Sequence, residues 1–232
     1  MQFVIGGVKK TSLLDYPDKV SSIVFTQGCN FNCGYCHNPS LLEFKSKNDI
    51  YSTDVFFDFL NKRKGKLDGV VITGGEPTLQ KDLKLFIQKI KEMNFFVKLD
   101  TNGTNPEIIK DLLKNNLLDY IAMDIKSTID KYNKVINKDI NTQVIEQSIN
   151  IIMNSGIDYE FRTTVLPSLI SIEDFEKIGQ LINGAKKYYL QKFLVQSEIN
   201  NSELINERNY TDEDFGKIKR ILSAYIKEIY IR

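Results

Sequence analysis

Short apolar, β-rich runs alternate along this chain with segments whose apolar residues recur at helical spacing. Residues 20–26 read as a first strand, closed by Gln27-Gly28. Ser52-Thr53-Asp54 can then cap a helix carrying Val55, Phe56, Phe59 and Leu60 on its apolar side. Residues 69–73 form the next strand pattern, and Leu83, Phe86, Ile87 and Ile90 follow on one helical face. The unit repeats, with strands at 95–100 and 120–126 around a helix at 106–113. A helix at 142–154 places Val144, Ile145, Ile149 and Ile152 in one stripe, and Gly156 suits the left-handed position after it. Residues 159–166 and 187–193 are the fifth and sixth strands, separated by a helix at 172–182. A last helix at 211–225 and an edge strand at 228–231 complete the pattern.

Strands separated by helices of about 10 to 15 residues imply parallel pairing through right-handed crossovers. Six such units predict an α/β fold, an open partial parallel β/α barrel. Its core spans about residues 20–193, after an N-terminal extension of 1–19 and before a C-terminal helix and edge element at 205–232. No low-complexity segment, long charge block or Pro/Gly-rich linker divides the 232 residues, so one domain is expected.

Composition adds mostly exclusions. With 42% hydrophobic and 26% charged residues the chain is of ordinary globular type. Lys and Arg total 31 against 30 for Asp and Glu, so the net charge of +1 gives no long-range attraction to nucleic acid or an anionic membrane. No apolar run approaches the roughly 20 residues that span a bilayer. The first residues lack the basic segment of a signal peptide, so a cytoplasmic protein is expected.

Cysteine changes the picture. All 3 cysteines of the chain lie in Cys29-Asn30-Phe31-Asn32-Cys33-Gly34-Tyr35-Cys36, directly after the first strand. An odd number packed this tightly makes a poor disulfide framework, whereas thiolates on one loop can converge on an iron–sulfur cluster. A [4Fe-4S] cube takes four ligands, so three cysteines leave one iron open to a small molecule. Two plainer readings stand beside it. One is a Cys3His zinc site using His37, which its adjacency to Cys36 makes awkward; the other is a set of unligated core thiols.

The spacing C-x3-C-x-aromatic-C, with Tyr35 as the aromatic, resembles the defining signature of the radical S-adenosylmethionine superfamily. Gly28 before it, His37-Asn38-Pro39 after it, and Ser12-Leu13-Leu14-Asp15-Tyr16-Pro17 ahead of the first strand are similar to the activating enzymes of glycyl-radical enzymes. Among these the chain looks most like the long form of anaerobic ribonucleoside-triphosphate reductase activating proteins, with pyruvate formate-lyase activating enzymes as near relatives. The resemblance implies a [4Fe-4S] cluster on Cys29, Cys33 and Cys36, and S-adenosyl-L-methionine bound at its open iron with Tyr35 and His37 near the adenine. It also implies a flavodoxin or ferredoxin as electron donor and a glycyl-radical enzyme as protein substrate.

Further candidates are expected at the carboxyl ends of the strands, where α/β barrels carry their functional groups. Thr73-Gly74-Gly75-Glu76-Pro77 follows the second strand, and its glycines allow close approach of a ligand to backbone carbonyls. Alone it could be a plain turn; the resemblance assigns Gly74, Gly75 and Glu76 to the ligand's amino group. Asp100-Thr101-Asn102-Gly103 ends the third strand and Asp124-Ile125-Lys126 the fourth. Their aspartates could cap helices, but Asp124 and Lys126, two apart on a strand, would face one side and meet a zwitterion together. The resemblance places such residues at the ligand's ribose and carboxylate, and admits a monovalent cation near Asp100 and Asp124. Arg162 on the fifth strand offers either a fork for a carboxylate or a surface ion pair, and Gln191 is expected to line the end of the sixth.

Two departures stand out. Some related activases carry a late histidine, but His37 is this chain's only one, which leaves Gln191 or Gln196 as stand-ins. Asp18 occupies a loop position where glycine is usual. Two other functions remain open on the sequence: a radical enzyme acting on a small molecule, and an iron–sulfur redox relay or sensor that never cleaves the ligand.

Overall fold

The computed structural model describes residues 2–44, 51–194 and 199–232. Its sheet orders eight strands as they occur in the chain. They are β1 (Ile5–Ser12), β2 (Ser21–Thr26), β3 (Gly69–Gly74), β4 (Phe96–Thr101), β5 (Tyr120–Asp124), β6 (Asp158–Val165), β7 (Lys187–Lys192) and β8 (Glu228–Ile231). From β2 to β8 every pairing is parallel. The six expected strands are thus β2 to β7, and the anticipated edge strand is β8. Edge strands β1 and β8 do not pair with each other, so the barrel stays open.

β1 lies in what the pattern treats as an extension. It runs antiparallel to β2 and carries Gly6, Gly7, Lys9 and Lys10. Its side chains are mostly half-buried or exposed, so it has little apolar alternation to betray it; charged, glycine-rich sequence is also how edge strands avoid pairing with other chains. The turn from β1 to β2 puts Asp18 at φ 58. That left-handed conformation explains why glycine suits the position and why aspartate, which tolerates it best after asparagine, can replace it.

The connections are helical and cover the outer face: α1 (Thr53–Lys62), α2 (Leu83–Glu92), α3 (Pro106–Lys114), α4 (Tyr132–Ile136), α5 (Gln143–Met153), α6 (Asp174–Leu181) and α7 (Asp212–Leu222). The stripe Leu83, Phe86, Ile87 and Ile90 is buried, as are Ile145, Ile149 and Ile152 of α5. Their counterparts on the strands, such as Val70, Ile72, Val97, Leu99 and Ile121, belong to the same continuous core. The alternate residues of each strand face the concave side. Register aligns Ile23 with Val71, Val71 with Lys98, Lys98 with Tyr120, and Asp124 with Arg162. Near the strand starts this face is apolar, with Tyr16, Ile23, Val71 and Tyr120 in a separate small cluster. Toward the strand ends it becomes charged.

Candidate active site

That charged end opens into a cavity of about 800 Å³. Its walls bring together Cys29, Cys33, Cys36, Tyr35 and His37 with Gly74, Gly75, Glu76, Asp100, Thr101, Asp124, Lys126, Arg162 and Gln191. Ile125, the remaining member of the Asp124-Ile125-Lys126 set, is absent from the wall; it is fully buried, and its carbonyl accepts from the Thr163 hydroxyl. Gln196 lies outside the described residues.

The cysteine loop is fixed by backbone bonds on one side and by a distant strap on the other. Gly28 and Cys29 donate their N–H groups to the Leu41 and Leu42 carbonyls at 2.9 and 3.0 Å. Asn200 Nδ2 donates to the Cys33 carbonyl at 3.1 Å, and the Asn201 N–H to that of Gly34 at 2.8 Å. The Phe31 N–H points at Cys29 Sγ, 3.4 Å away. Burial pushes the Cys29 thiol up to about 12 and raises that of Cys33, so a thiolate at either site calls for a cationic metal partner.

Among the described residues no three histidine, cysteine, aspartate or glutamate side chains close on a point that one ion could fill. His37 instead stacks on Phe193, with ring centroids 5.4 Å apart, and its imidazole is biased toward the neutral form by burial. A mononuclear Cys3His site does not fit this arrangement. Three thiols spaced around one large cavity do fit a polynuclear iron–sulfur cluster with room beside it for a small molecule.

The glycines of the Gly-Gly-Glu-Pro turn also serve close packing between strands. A Cβ on Gly75 would stand 2.2 Å from the Gly28 carbonyl oxygen, and one on Gly74, whose φ is +114, 2.4 Å from the Thr26 nitrogen. The glycines therefore let the β3 turn press against the end of β2, where Gly75 N–H donates to Thr26 and Glu76 N–H to Gly28. Both glycines also line the cavity. Glu76 is also engaged: Oε1 accepts from the Thr78 N–H, the Thr78 hydroxyl and the Thr101 hydroxyl, and Oε2 from the Asn102 N–H at 2.7 Å. Burial raises its carboxyl and these four donors oppose that rise. Asn102 in turn donates to Asn30 of the cysteine loop, and Asn30 to Thr104, so the three turns form one hydrogen-bonded block.

The opposite wall is a ladder of charges. Strand β5 ends at Asp124, so Lys126 lies beyond the strand; the two nonetheless meet, Lys126 Nζ standing 2.9 Å from Asp124 Oδ2. Arg162 bridges the carboxylates, with Nε 2.7 Å from Asp124 and Nη1 2.9 Å from Asp100. It is a largely buried bridge within the site, neither a surface ion pair nor a free fork. Lys98 completes the row 3.1 Å from Asp100 Oδ1. Despite burial, Arg162 and the adjacent lysines hold Asp100 and Asp124 below the usual carboxylate range. Tyr35 packs near the ladder's end, with Lys126 Nζ 5.8 Å from its ring centre and its own hydroxyl buried without a partner.

Sequence reasoning passed over Lys98, Arg232 and Lys192. The last two line the cavity, and Arg232 also pairs with the buried Glu160 at 2.9 Å. Register is the signal that could have found Lys98 and Glu160, since each lies two residues before Asp100 or Arg162 on the same strand face. Arg232 arrives from β8 and has no comparable local mark.

Known proteins share both the sequence and this layout. The Radical SAM superfamily profile matches residues 23–182. A protein of Methanocaldococcus jannaschii named as a glycyl-radical enzyme activating enzyme is 33% identical over 240 residues, covering 100% of this chain and 97% of the relative. The pyruvate formate-lyase-activating enzyme of Clostridium pasteurianum is 26% identical, covering 97% of each. Among solved structures, Streptococcus suis SuiB bound to S-adenosylmethionine superposes with a TM-score of 0.64 at 13% identity, covering 87% of this chain and 48% of that one. That last likeness is one of fold. Among the described residues no helix is long and apolar enough to cross a membrane.

Proposed function

This chain belongs to the radical SAM superfamily, and we propose that it reductively cleaves S-adenosylmethionine and installs a glycyl radical on a partner enzyme. The observation carrying this reading is the single cavity that joins three thiols to a charged wall suited to a zwitterion. In it Cys29, Cys33 and Cys36 would hold a [4Fe-4S] cluster, with Lys126 and Arg162 facing the ligand's carboxylate and Tyr35 and His37 flanking its adenine. When bound and reduced by one electron from a flavodoxin or ferredoxin, the cluster would supply the electron that cleaves S-adenosylmethionine and so the radical chemistry for taking a hydrogen atom from glycine. Protein side chains then have three tasks: to hold the thiolates, to orient the ligand and to exclude water. The Glu76 block performs the first indirectly, by locking the turn of β3 and that of β4 to the cysteine loop.

A protein substrate is supported by the mouth, where Leu14 and Leu194 line the cavity while remaining 86% and 66% exposed. Apolar side chains left in water at an opening suit contact with another polypeptide. Anaerobic ribonucleoside-triphosphate reductase is our first choice of partner. A pyruvate formate-lyase-like enzyme is the second, favoured by the similarity to the Clostridium pasteurianum activase along nearly the whole chain.

The test begins with anaerobic reconstitution, dithionite reduction and measurement of 5′-deoxyadenosine. Its formation is expected, and none at full cluster loading would remove the enzyme reading. The reduced protein is then mixed with each candidate partner, and a glycyl signal in the electron paramagnetic resonance spectrum identifies the one served. Product without a glycyl signal on either partner would favour a small-molecule substrate.

A further inference from the structure

Each carboxylate oxygen of the ladder has a basic nitrogen at 3.1 Å or closer, although Asp100 Oδ1 faces Lys98 as an ion pair without a hydrogen bond. Asp100 Oδ2 and Asp124 Oδ1 accept from Arg162 at 2.9 and 2.7 Å and Asp124 Oδ2 from Lys126 at 2.9 Å, while Lys98 Nζ stands 3.1 Å from Asp100 Oδ1. Three basic groups thus face two carboxylates, an excess of one positive charge within the row. A monovalent cation near Asp100 and Asp124 would have to displace one of these nitrogens, each of which already supplies the charge that the cation would bring.

Lys98 is the member whose presence most needs explanation. Its side chain is only 3% exposed, it is absent from the cavity wall, and none of its atoms is placed to touch a ligand there. A lysine is rarely buried unless something pairs with its charge. Here the Asp15 carbonyl accepts from Nζ at 2.6 Å, the Tyr120 ring lies 5.7 Å beneath, and Asp100 stands in front. Asp15 belongs to the turn whose Leu14 stands at the mouth. Arg162 and Lys126 occupy the other faces of the two carboxylates, so only Lys98 compensates the inner side of Asp100.

We infer that Lys98 is a built-in counter-cation: acting through Asp100 as a positioning residue, it makes binding of S-adenosylmethionine in this cavity independent of alkali-metal ions. This inference rests on the functional reading above. Asp100, neutralised from beneath, keeps Arg162 aligned between the two carboxylates with its remaining N–H groups toward the cavity. Without Lys98, the inner oxygen Asp100 Oδ1 loses the basic group beside it, and a sodium or potassium ion can enter to replace that group.

The experiment uses the reconstituted protein and measures the dissociation constant for S-adenosylmethionine by equilibrium dialysis in buffers whose only cation is tetramethylammonium, sodium or potassium. Wild-type affinity is expected to vary by less than about twofold among them, since the internal charge pair is already complete. Lys98→Met, which keeps the side-chain length, is expected to bind about tenfold more weakly in tetramethylammonium and to recover in sodium or potassium, on the scale of one lost charge-assisted contact. Lys98→Arg restores the wild-type pattern. An alkali requirement of the wild-type protein overturns the inference, as does a Lys98→Met defect that no cation relieves, or no defect at all. If Lys98→Met does not fold, the wild-type series alone decides. Absence of wild-type binding in all three buffers, with the cluster loaded, overturns the functional reading itself, a result distinct from binding that requires alkali.

Discussion

The two walls of the cavity are built on opposite principles. The wall formed by the ends of β2 and β3 is assembled from backbone: glycines without side chains, N–H groups on carbonyls, and a thiol loop strapped from outside. The wall formed by β4, β5 and β6 is assembled from charged side chains that satisfy one another. The first should be intolerant of added volume and the second of removed charge. Where a cluster must be held, close backbone packing fixes the loop; where a charged ligand must be oriented, paired charges keep buried groups ionised without committing them to water.

Substitutions can break this contrast, beginning with the largest expected effect. Cys33→Ala should abolish both the iron content of the reconstituted protein and the formation of 5′-deoxyadenosine, because no other thiol is present to replace a ligand. Bound iron and its visible absorbance report the outcome, and a variant retaining both would remove Cys33 from the ligand set.

On the charged wall, Arg162→Met leaves Asp100 and Asp124 facing each other with their bridge gone. Breaking a buried pair in this way costs about 3–5 kcal/mol, so denaturant unfolding should show a loss of that order. A change within experimental error would mean that Lys98 and Lys126 suffice to hold both carboxylates.

The backbone wall offers the matching test. In Gly75→Ala the new methyl would stand 2.2 Å from the Gly28 carbonyl oxygen, a backbone atom that cannot swing aside. A cost of roughly 1–3 kcal/mol, the range for inserting a methyl into a filled space, should appear as a lower Tm together with reduced cluster retention. A neutral result would show that the turn of β3 can lift away from β2.

Glu76→Gln probes the block joining the walls. Whichever way the amide is turned, its NH2 faces a backbone N–H, that of Asn102 or that of Thr78. One unsatisfied buried donor pair costs about 1–3 kcal/mol, and the asparagine link to the cysteine loop should loosen with it. Unchanged stability with normal cluster loading would reduce Glu76 to a replaceable acceptor.

The gentlest lever is pH. Asp100 and Asp124 ionise below the ordinary range in the folded chain, so they contribute stability that is present above the unfolded carboxylate value near about 4 and is lost as pH falls from there toward their folded values. Wild-type Tm should therefore drop steeply on the acid side of about pH 4, while Arg162→Met, lacking the main cause of the depression, should show a shallower slope there. Parallel curves would place the acid sensitivity elsewhere in the molecule.

Much of this is legible in the sequence. Six β/α units could be read because their helices repeat apolar residues on one face and their strands are buried runs; Phe86 and Ile87 of α2, or Ile121 of β5, are where periodicity puts them. β1 escaped because its glycines and lysines carry no alternation, and its conformation is imposed by pairing with β2. The Cys29, Cys33 and Cys36 spacing is local chemistry on a single loop, which sequence reports directly. The glycines of the β3 turn were visible as glycines, but their reason, contact with Thr26 and Gly28 from a strand about 47 residues earlier, is spatial.

What the sequence determined by itself is therefore the part governed by neighbours along the chain: the strand and helix periods, the thiol spacing and the turns that follow each strand. What only the tertiary structure decided is which distant charges meet. Lys98, Asp100, Asp124, Lys126 and Arg162 come from three strands and their ends, and nothing local distinguishes a lysine that reaches a buried carboxylate from one in solvent. Parallel register sets the partners, because a shift of one residue would turn every one of these side chains to the opposite face of the sheet.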